Sequence, residues 1–277
     1  MQEKTSACPL DCPDLCSLQV TVDETSGRVL SLDGGRRNPI TDGFICGKVR
    51  GFAEHMYGEG RLLHPMLRDG ARGSGRFRPV SWDDALTVVA RTLARIRDHH
   101  GGEAILPYHY GGSNGWLTEE CVDTRLFRRL GASRLLRTFC AAPSRVASRG
   151  LYGAVPGVAL EDYVHAKLII VWGCNPSATG IHLVPIINAA LERGATLVVV
   201  DPRRTPLARR AHLHVPLRPG IDLPVALALI RELFVSGTAD QAFLAAHATG
   251  VDELRRRAEP WTLARAAECS VPAPRTW

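Results

Sequence analysis

The chain has 277 residues, of which 45% are hydrophobic and 22% are charged, and its formal net charge at pH 7 is +6. This length supplies enough apolar material for one large domain or two ordinary ones. No run approaches the roughly eighteen consecutive apolar residues of a transmembrane helix. The arginines are spread along the chain and aromatic residues are few, so solvated faces and an anionic small ligand explain the charge better than nucleic acid. We therefore expect a globular protein with neither a membrane span nor a nucleic-acid partner.

Four of the eight cysteines lie within the first fifty residues. Cys8, Cys12 and Cys16 have three residues between each pair, and Cys46 follows in a second loop. Three thiols on one proline-containing loop and a fourth from a remote loop can converge on one soft metal centre. The spacing leaves two alternatives open, an iron–sulfur cluster and a zinc ion, although three cysteines on one loop favour the cluster. Residues 1–7 have no export signal, so we expect a cytoplasmic location and reduced thiols rather than disulfides.

The first predicted region is a small β-rich lobe at residues 1–60, which carries these cysteines. Alternating runs at Ser17–Val22 and residues 28–32, separated by Thr25-Ser26-Gly27, predict a hairpin. Residues 61–138 are expected to form the first part of an αβα domain. Within it, a strand is predicted at residues 104–108, a glycine-rich loop at 111–115 and a helix at 118–130.

A long helix is predicted at the start of that αβα region. Ser81 and Asp84 form a capping box that opens it, and Gly101-Gly102 ends it. Its apolar residues recur at helical spacing and predict a buried stripe that consists of Leu86, Val89, Ala90, Leu93 and Ile96.

Residues 139–277 are predicted to form a nucleotide-binding αβα domain that is incomplete. Leu168–Trp172 is an apolar run that predicts a fully buried strand, and a helix at residues 182–193 and a second strand at 195–200 complete a β-α-β unit. A short strand at residues 213–217 and an apolar helix after it extend the pattern, whereas the tail from Cys269 onward has no period and is expected to be unstructured. The fold class is therefore α/β.

Polar residues follow the two strands of this β-α-β unit. Gly173 and Asn175 begin the loop after the first strand, where a glycine lets a ligand approach the backbone and a helix N-terminus favours an anion. Asp201 ends the next strand and can accept hydrogen bonds from ribose hydroxyls or a guanine edge, and Arg203 can hold phosphate. The pattern suggests a nucleotide site, with a plain helix-capping loop as the alternative, because no GxGxxG is present.

Five ordered segments together resemble a known family. They are Cys-Pro-Leu-Asp-Cys-Pro-Asp-Leu-Cys-Ser, Gly-Phe-Ile-Cys-Gly-Lys, Val-Trp-Gly-Cys-Asn-Pro, Val-Val-Asp-Pro-Arg-Arg-Thr and Leu-Arg-Pro-Gly-Ile-Asp. Their order resembles the prokaryotic molybdopterin oxidoreductases, which include formate dehydrogenases, periplasmic nitrate reductases and thiosulfate or polysulfide reductases. The resemblance covers residues 6 to 260 and favours [4Fe–4S] over zinc.

The resemblance implies a role for individual residues. Cys8, Cys12, Cys16 and Cys46 match the ligands of a [4Fe–4S] cluster, and Lys48 matches the lysine between the cluster and the pterin. The residues that match the lining of one pterin guanine dinucleotide are Gly173, Asn175, Asp201, Arg203, Gly220 and Asp222. Cys140 matches the position that binds molybdenum or tungsten, and a thiolate is a fitting ligand for such a metal.

Two departures from the family pattern matter. Formate dehydrogenases have a proton-transferring histidine after the metal-binding position, whereas this chain has Ala141, whose methyl group cannot carry a proton; formate is therefore disfavoured as substrate. Family members are also more than twice as long, so the sequence is expected to be a fragment, a truncated product or one piece of a split enzyme whose C-terminal half is a separate chain.

The resemblance implies the N-terminal part of an oxidoreductase with a [4Fe–4S] cluster and bis-molybdopterin guanine dinucleotide that carries molybdenum or tungsten. It would exchange two electrons, or an oxygen or sulfur atom, with a small substrate, and would pass electrons to a redox partner protein or subunit. The alternative is a truncated, non-catalytic iron–sulfur subunit for electron transfer or interaction. Cys140 and Lys48 are the candidate catalytic residues.

Overall fold

A computed structural model gives the structure of the protein and describes residues 1–109, 122–136, 138–139 and 141–270. The chain divides into two compact units, Met1–Val158 and Ala159–Trp277. Each unit has its own hydrophobic core. Of the helices in the described ranges, none combines the length and the apolar character that crossing a bilayer requires. The elements are mixed helices and strands, which confirms the α/β class, and the three-part division at residues 1–60, 61–138 and 139–277 stays a prediction.

The first unit begins with a three-stranded antiparallel sheet. Its strands, in the order β1-β2-β3, are β1 (Gln2–Ala7), β2 (Ser17–Val22) and β3 (Val29–Gly34). The predicted hairpin is confirmed, because β2 pairs antiparallel with β3. Its turn is closed by Asp23, whose carboxylate accepts hydrogen bonds from the Thr25 amide and the Ser26 hydroxyl. Two short helices follow, α1 (Gly47–Arg50) and α2 (Phe52–Tyr57).

The rest of the first unit is a two-stranded ribbon and three longer helices. They are β4 (Met66–Arg68), β5 (Phe77–Pro79), α3 (Trp82–His100), α4 (Val122–Arg129) and α5 (Ala141–Tyr152). The predicted helix start at Ser81 is confirmed, since the Ser81 hydroxyl oxygen accepts the Asp84 amide at 3.1 Å, and the hydroxyl in turn donates to the Asp84 carboxylate at 2.7 Å. Helix α3 ends at Gly101, whose φ of 82° lies in the left-handed region that glycine adopts without strain.

The predicted buried stripe on α3 is wrong. Leu86, Val89 and Ala90 are exposed, while Leu93 and Ile96 are half-buried. Burial of this face would need a sheet beneath the helix, and the strand predicted at residues 104–108 does not form. Gly102–Ala104 is instead a turn of 3-10 helix, and the Ile105 carbonyl accepts the Ser133 amide of a loop rather than joining a strand ladder. The glycine-rich loop at 111–115 lies outside the described residues, and α4 covers part of the helix predicted at 118–130.

The second unit contains a three-stranded parallel sheet in the order β6-β7-β8. Its strands are β6 (Leu168–Trp172), β7 (Thr196–Val200) and β8 (Leu213–Val215), and α6 (Leu183–Glu192) connects the first two. The predicted β-α-β unit is thus confirmed, and the third strand joins it in parallel. Four helices follow, α7 (Asp222–Val235), α8 (Gln241–His247), α9 (Val251–Ala258) and α10 (Leu263–Ser270).

Aliphatic residues of the sheet and of α6 form the core of the second unit. Ile187, Leu197 and Val199 are completely buried in it. The prediction that β6 is fully buried is wrong, because Leu168 and Ile170 alternate with buried neighbours and are 53% and 52% exposed. Cys269 also differs from its prediction, since it lies within α10; the residues from 271 onward are outside the described ranges.

Candidate cofactor sites

The first candidate site is the loop that joins β1 to β2. Ala7 pairs with Ser17 across the sheet, so the neighbouring residues Cys8 and Cys16 face each other where the two strands part. The Cys8 amide donates to the Cys16 carbonyl at 2.9 Å and closes the loop, with Cys12 at its middle. Leu15 has a φ of 44°, an unusual value for a residue with a side chain, and this sharp turn returns the chain to β2.

A close approach of two backbones brings the fourth cysteine to this loop. Gly34, at the end of β3, pairs with Leu18 two residues after Cys16. A Cβ atom on Gly34 would lie 2.2 Å from the carbonyl oxygen of Gly43, so only glycine permits this contact. Gly43 then leads into Cys46, which packs against the buried core of the lobe. Residues distant in sequence are in this way gathered at one end of the small sheet.

Three of the four cysteines lie in or against one small core, and Cys12 lies on the loop between Cys8 and Cys16. Cys8 and Cys16 are buried together with Leu18, Ile45 and Val49, and Cys46 packs against this group. Every cysteine that the structure describes is a free thiol. The expectation of reduced thiols rather than disulfides is consistent with these described positions.

Electrostatics at this core favour a cationic occupant. Burial, followed by the charges of Asp14, Cys8 and Cys12, raises the pKa of the Cys16 thiol to about 11. Since the thiolate is the form that binds metal, a cation must replace the proton at neutral pH. A set of four sulfur donors suits zinc or an iron–sulfur centre, so the residues fit the group that the sequence suggests.

Lys48 follows Cys46 by two residues and lies in α1. Val49, its neighbour, points into the cysteine core, and Lys48 itself is exposed. The cation therefore lies on the outer side of the short helix that begins directly after the fourth cysteine.

The second candidate site is the carboxyl edge of the parallel sheet. Because β6, β7 and β8 run in the same direction, the residues that follow each of them meet at this edge, where ligands bind in open α/β sheets. The six predicted nucleotide contacts all follow these strands. Gly173 and Asn175 come after β6, Asp201 and Arg203 after β7, and Gly220 and Asp222 after β8.

Hydrogen bonds fix the first two of these segments to the strands beside them. The Gly173 amide donates to the Val200 carbonyl at 2.9 Å, which joins the first segment to the second. Asp201 is buried; one carboxylate oxygen accepts the Arg203 amide at 2.7 Å, and its backbone carbonyl accepts the imidazole Nε2–H of His214 at 2.9 Å. The Arg203 side chain is exposed and carries its charge beside this carboxylate.

Two features of the edge fit a bound ligand. The side-chain oxygen of Asn175 is buried and has no hydrogen-bond partner within the part of the chain that the structure describes. An orphaned buried acceptor costs about 1–3 kcal/mol, so a donor supplied by a ligand would remove this penalty. Gly173 and Gly220 have φ of 59° and 89°, and no atom lies within 4 Å of the position where a Cβ would be, which leaves their backbones accessible.

One contact at this edge was not foreseen from the sequence. The indole Nε1–H of Trp172, the last residue of β6, donates to Oδ1 of Asp222, the first residue of α7, at 2.7 Å. The two residues are fifty positions apart, and no local pattern signals their contact. Cys140, the predicted metal ligand, lies outside the described residues, and Ala141 is the first residue of α5.

The cysteines of the lobe fit a soft metal centre, and the carboxyl edge of the parallel sheet has features that fit a bound ligand. Comparison with known families agrees. Residues 1–58 match the model of the molybdopterin oxidoreductase Fe4S4 domain, and residues 61–259 match that of molybdopterin oxidoreductase. The chain belongs to the molybdopterin oxidoreductase family. The two matches support a [4Fe–4S] cluster and a molybdopterin cofactor, and the zinc alternative is set aside.

Similar proteins carry different names. The "Probable oxidoreductase YoaE" of Bacillus subtilis is 37% identical over 92% of this chain and 37% of its own length. The assimilatory nitrate reductase catalytic subunit of the same organism is 28% identical over 96% of this chain and 38% of its own. A solved structure, acetylene hydratase from Pelobacter acetylenicus, is 25% identical with a TM-score of 0.70, covering 96% of this chain and 36% of that one. The chain thus spans little more than a third of the length of these relatives.

Proposed function

We propose that this chain is the N-terminal part of a molybdenum or tungsten oxidoreductase that holds a [4Fe–4S] cluster and lines one pterin guanine dinucleotide of a bis-pterin cofactor. The observation that carries the proposal is the placement of four cysteines on two loops of one small lobe, three of them in or against its core, in a chain that continues into a parallel sheet. Either feature alone has several explanations, whereas the two in this order are typical of the family.

In the lobe, Cys8, Cys12, Cys16 and Cys46 would hold the cluster through their thiolates. The buried surroundings of Cys8 and Cys16 shield these two of the four sulfur ligands from water. When bound, the cluster supplies single-electron transfer to a redox partner protein or subunit. Lys48 adds a positive charge two residues after Cys46. If it lies between the cluster and the pterin, as the resemblance implies, this charge would favour negative charge on both groups.

In the parallel-sheet unit, the proposed contacts divide by chemistry. Gly173 and Gly220 would let the nucleotide approach the backbone. Asn175 would accept a hydrogen bond with its orphaned oxygen. Asp201 would accept ribose or guanine donors, and Asp222 would do the same from the start of α7.

Arg203 is the proposed phosphate-binding residue. Its guanidinium is exposed and permanently charged, and its fork of donors suits the oxygens of a pyrophosphate. The Arg203 amide is bound to the Asp201 carboxylate, so the backbone of this residue is fixed while its side chain remains available to a ligand.

Cys140 is the proposed protein ligand of molybdenum or tungsten. The metal, when bound, supplies two-electron redox or oxygen- or sulfur-atom chemistry on a small substrate. The next residue, Ala141, has no group that can accept a proton, which disfavours formate. Relatives named as an oxidoreductase and as a nitrate reductase support redox chemistry, although one similar structure is named a hydratase.

Three measurements on the anaerobically purified chain test the proposal. We expect an electron paramagnetic resonance signal of a [4Fe–4S] cluster after reduction, iron rather than zinc in elemental analysis, and a fluorescent pterin after oxidation of the released cofactor. Iron without any pterin would instead favour the electron-transfer or interaction subunit. Zinc with no cluster signal would overturn both proposals.

A further inference from the structure

The hydrogen bond between Trp172 and Asp222 joins a rigid element to an adjustable one. Trp172 ends β6 and pairs with Val200 of the central strand, so the parallel ladder fixes its backbone. Asp222 follows the loop that contains Gly220, and the residue before it, Ile221, makes no side-chain capping bond to α7. The position of the indole is therefore set by the sheet, whereas the Asp222 side chain needs a partner to hold one orientation.

The chemistry of the contact gives it a direction. An indole nitrogen is only a donor, and an ionised carboxylate is only an acceptor, so Trp172 Nε1–H must donate to Asp222 Oδ1. At 2.7 Å the bond is short, as expected when the acceptor is charged. The carboxylate is exposed, and without this bond water and rotation about its side-chain torsions would compete for its position.

We propose that Trp172 is a positioning residue that fixes the carboxylate of Asp222 toward the N–H donors of the guanine nucleotide. This inference rests on the proposed function, which assigns Asp222 to the nucleotide site. Trp172 itself does not contact the nucleotide: it acts through Asp222, as a fixed donor at the end of β6. A carboxylate held in one plane loses less conformational entropy when the ligand binds, so the ligand binds more tightly.

The test removes the indole N–H donor of Trp172 and keeps an aromatic ring at that position. Trp172→Phe deletes the indole N–H, Asp222→Asn weakens the acceptor, and the double variant combines them. Trp261→Phe is the matched control, because Trp261 lies in the same unit and stacks with Arg265 instead of bonding to the edge. In each variant of the 277-residue chain, the readout is the guanine nucleotide retained per chain, measured as GMP released by acid hydrolysis, with iron content and thermal unfolding recorded alongside.

We expect Trp172→Phe to lower retained GMP about two- to tenfold, the effect of having to order one more side chain on binding, with unchanged iron and unfolding temperature. Asp222→Asn should lower it at least as much, and the double variant should match Asp222→Asn, because Trp172 acts only through that carboxylate. Multiplied effects in the double variant, or full GMP in Trp172→Phe while Asp222→Asn loses it, would overturn the positioning role. Full GMP in Asp222→Asn, or no GMP in the unmodified chain, would instead overturn the proposed nucleotide site.

If Trp172→Phe lowers the unfolding temperature, a second measurement keeps the inference testable. Trp172→His retains a ring N–H donor at the strand end, and recovery of GMP in this variant would support the hydrogen bond as the cause. A Trp172→His chain that unfolds at the same temperature as Trp172→Phe and retains no more GMP would contradict it.

Discussion

The cysteine lobe and the parallel-sheet unit differ in the size and composition of their buried cores. The buried core of the lobe consists of two cysteines and three aliphatic residues, Leu18, Ile45 and Val49. Among the residues that the structure describes, the core of the sheet unit contains nine buried residues, all aliphatic, from strands, α6 and the segment around Leu207. Two of the proposed cluster ligands, Cys8 and Cys16, are thus part of the core of the lobe, whereas the proposed nucleotide contacts follow the strands at the edge of the sheet.

This difference predicts how each region depends on its cofactor. A lobe of 58 residues is near the lower limit for a stable hydrophobic core, and small domains of this kind commonly need a metal or disulfides. We therefore expect cluster loading and folding of the lobe to be coupled. The sheet unit, in contrast, should fold whether or not a nucleotide is bound.

The largest expected effect separates the two regions directly. Cys46→Ser should abolish iron binding and increase amide hydrogen exchange throughout β2 and β3, because the lobe loses the group that completes its core. Exchange in β6 and β7 should be unaffected. Cys269→Ser, at a half-buried position in α10, is the control and should retain full iron content. A lobe that stays protected from exchange after losing its iron would disprove the coupling.

Gly34→Ala tests whether the close approach of Gly34 to the Gly43 backbone is needed to bring Cys46 to the other cysteines. The added methyl would overlap the Gly43 backbone, so the loop that carries Cys46 must move away from Cys8 and Cys16. We expect iron content to fall by more than half and the lobe to unfold at lower temperature. Gly60→Ala, where the new methyl meets no atom within 4 Å, should leave both quantities unchanged. A normal iron content in Gly34→Ala would show that cluster binding does not require the close approach of Gly34 to Gly43.

A substitution in the core of the sheet unit should lower the stability of that unit and leave the iron content of the lobe unchanged. Leu197→Ala removes a completely buried side chain from the central strand and should lower the free energy of unfolding of the sheet unit by about 2–5 kcal/mol. Denaturant titration followed by tryptophan fluorescence measures this loss. The iron content of the lobe should remain unchanged, and a parallel loss of iron would show that the two cores are not independent.

The smallest expected effect is the pH dependence of the turn between β2 and β3. The Ser26 hydroxyl and the Thr25 amide lower the pKa of Asp23 below its usual range, so the turn between β2 and β3 is stabilised above the unfolded pKa and loses that contribution as pH falls through the folded pKa. Nuclear magnetic resonance titration of the Asp23 carboxyl should give a midpoint below that of an unstructured peptide. Ser26→Ala should move the midpoint upward; an unchanged midpoint would contradict the assigned cause.

Sequence reasoning succeeded where the signal was local. The hairpin turn at residues 25–27, the Ser81 cap and the β-α-β period each depend on neighbouring residues, and all three are confirmed. β1 was missed because Gln2–Ala7 is polar and exposed along its whole length, so it has no alternation to detect.

Non-local features of the candidate sites were not predictable in the same way. The approach of Gly34 to Gly43 and the bond from Trp172 to Asp222 join residues that only the folded chain brings together. The exposure of Leu86 likewise depends on which element packs against α3, and helical periodicity contains no information about that partner.

The exposed apolar face of α3 has a practical consequence for colloidal behaviour. Trp82, Leu86 and Val89 are 66%, 59% and 55% exposed, and contiguous apolar surface of this kind promotes self-association in water. The apparent molar mass of the isolated chain, measured by light scattering, should therefore increase with concentration. Loading and binding measurements on this chain belong in the dilute regime, where the protein remains monodisperse.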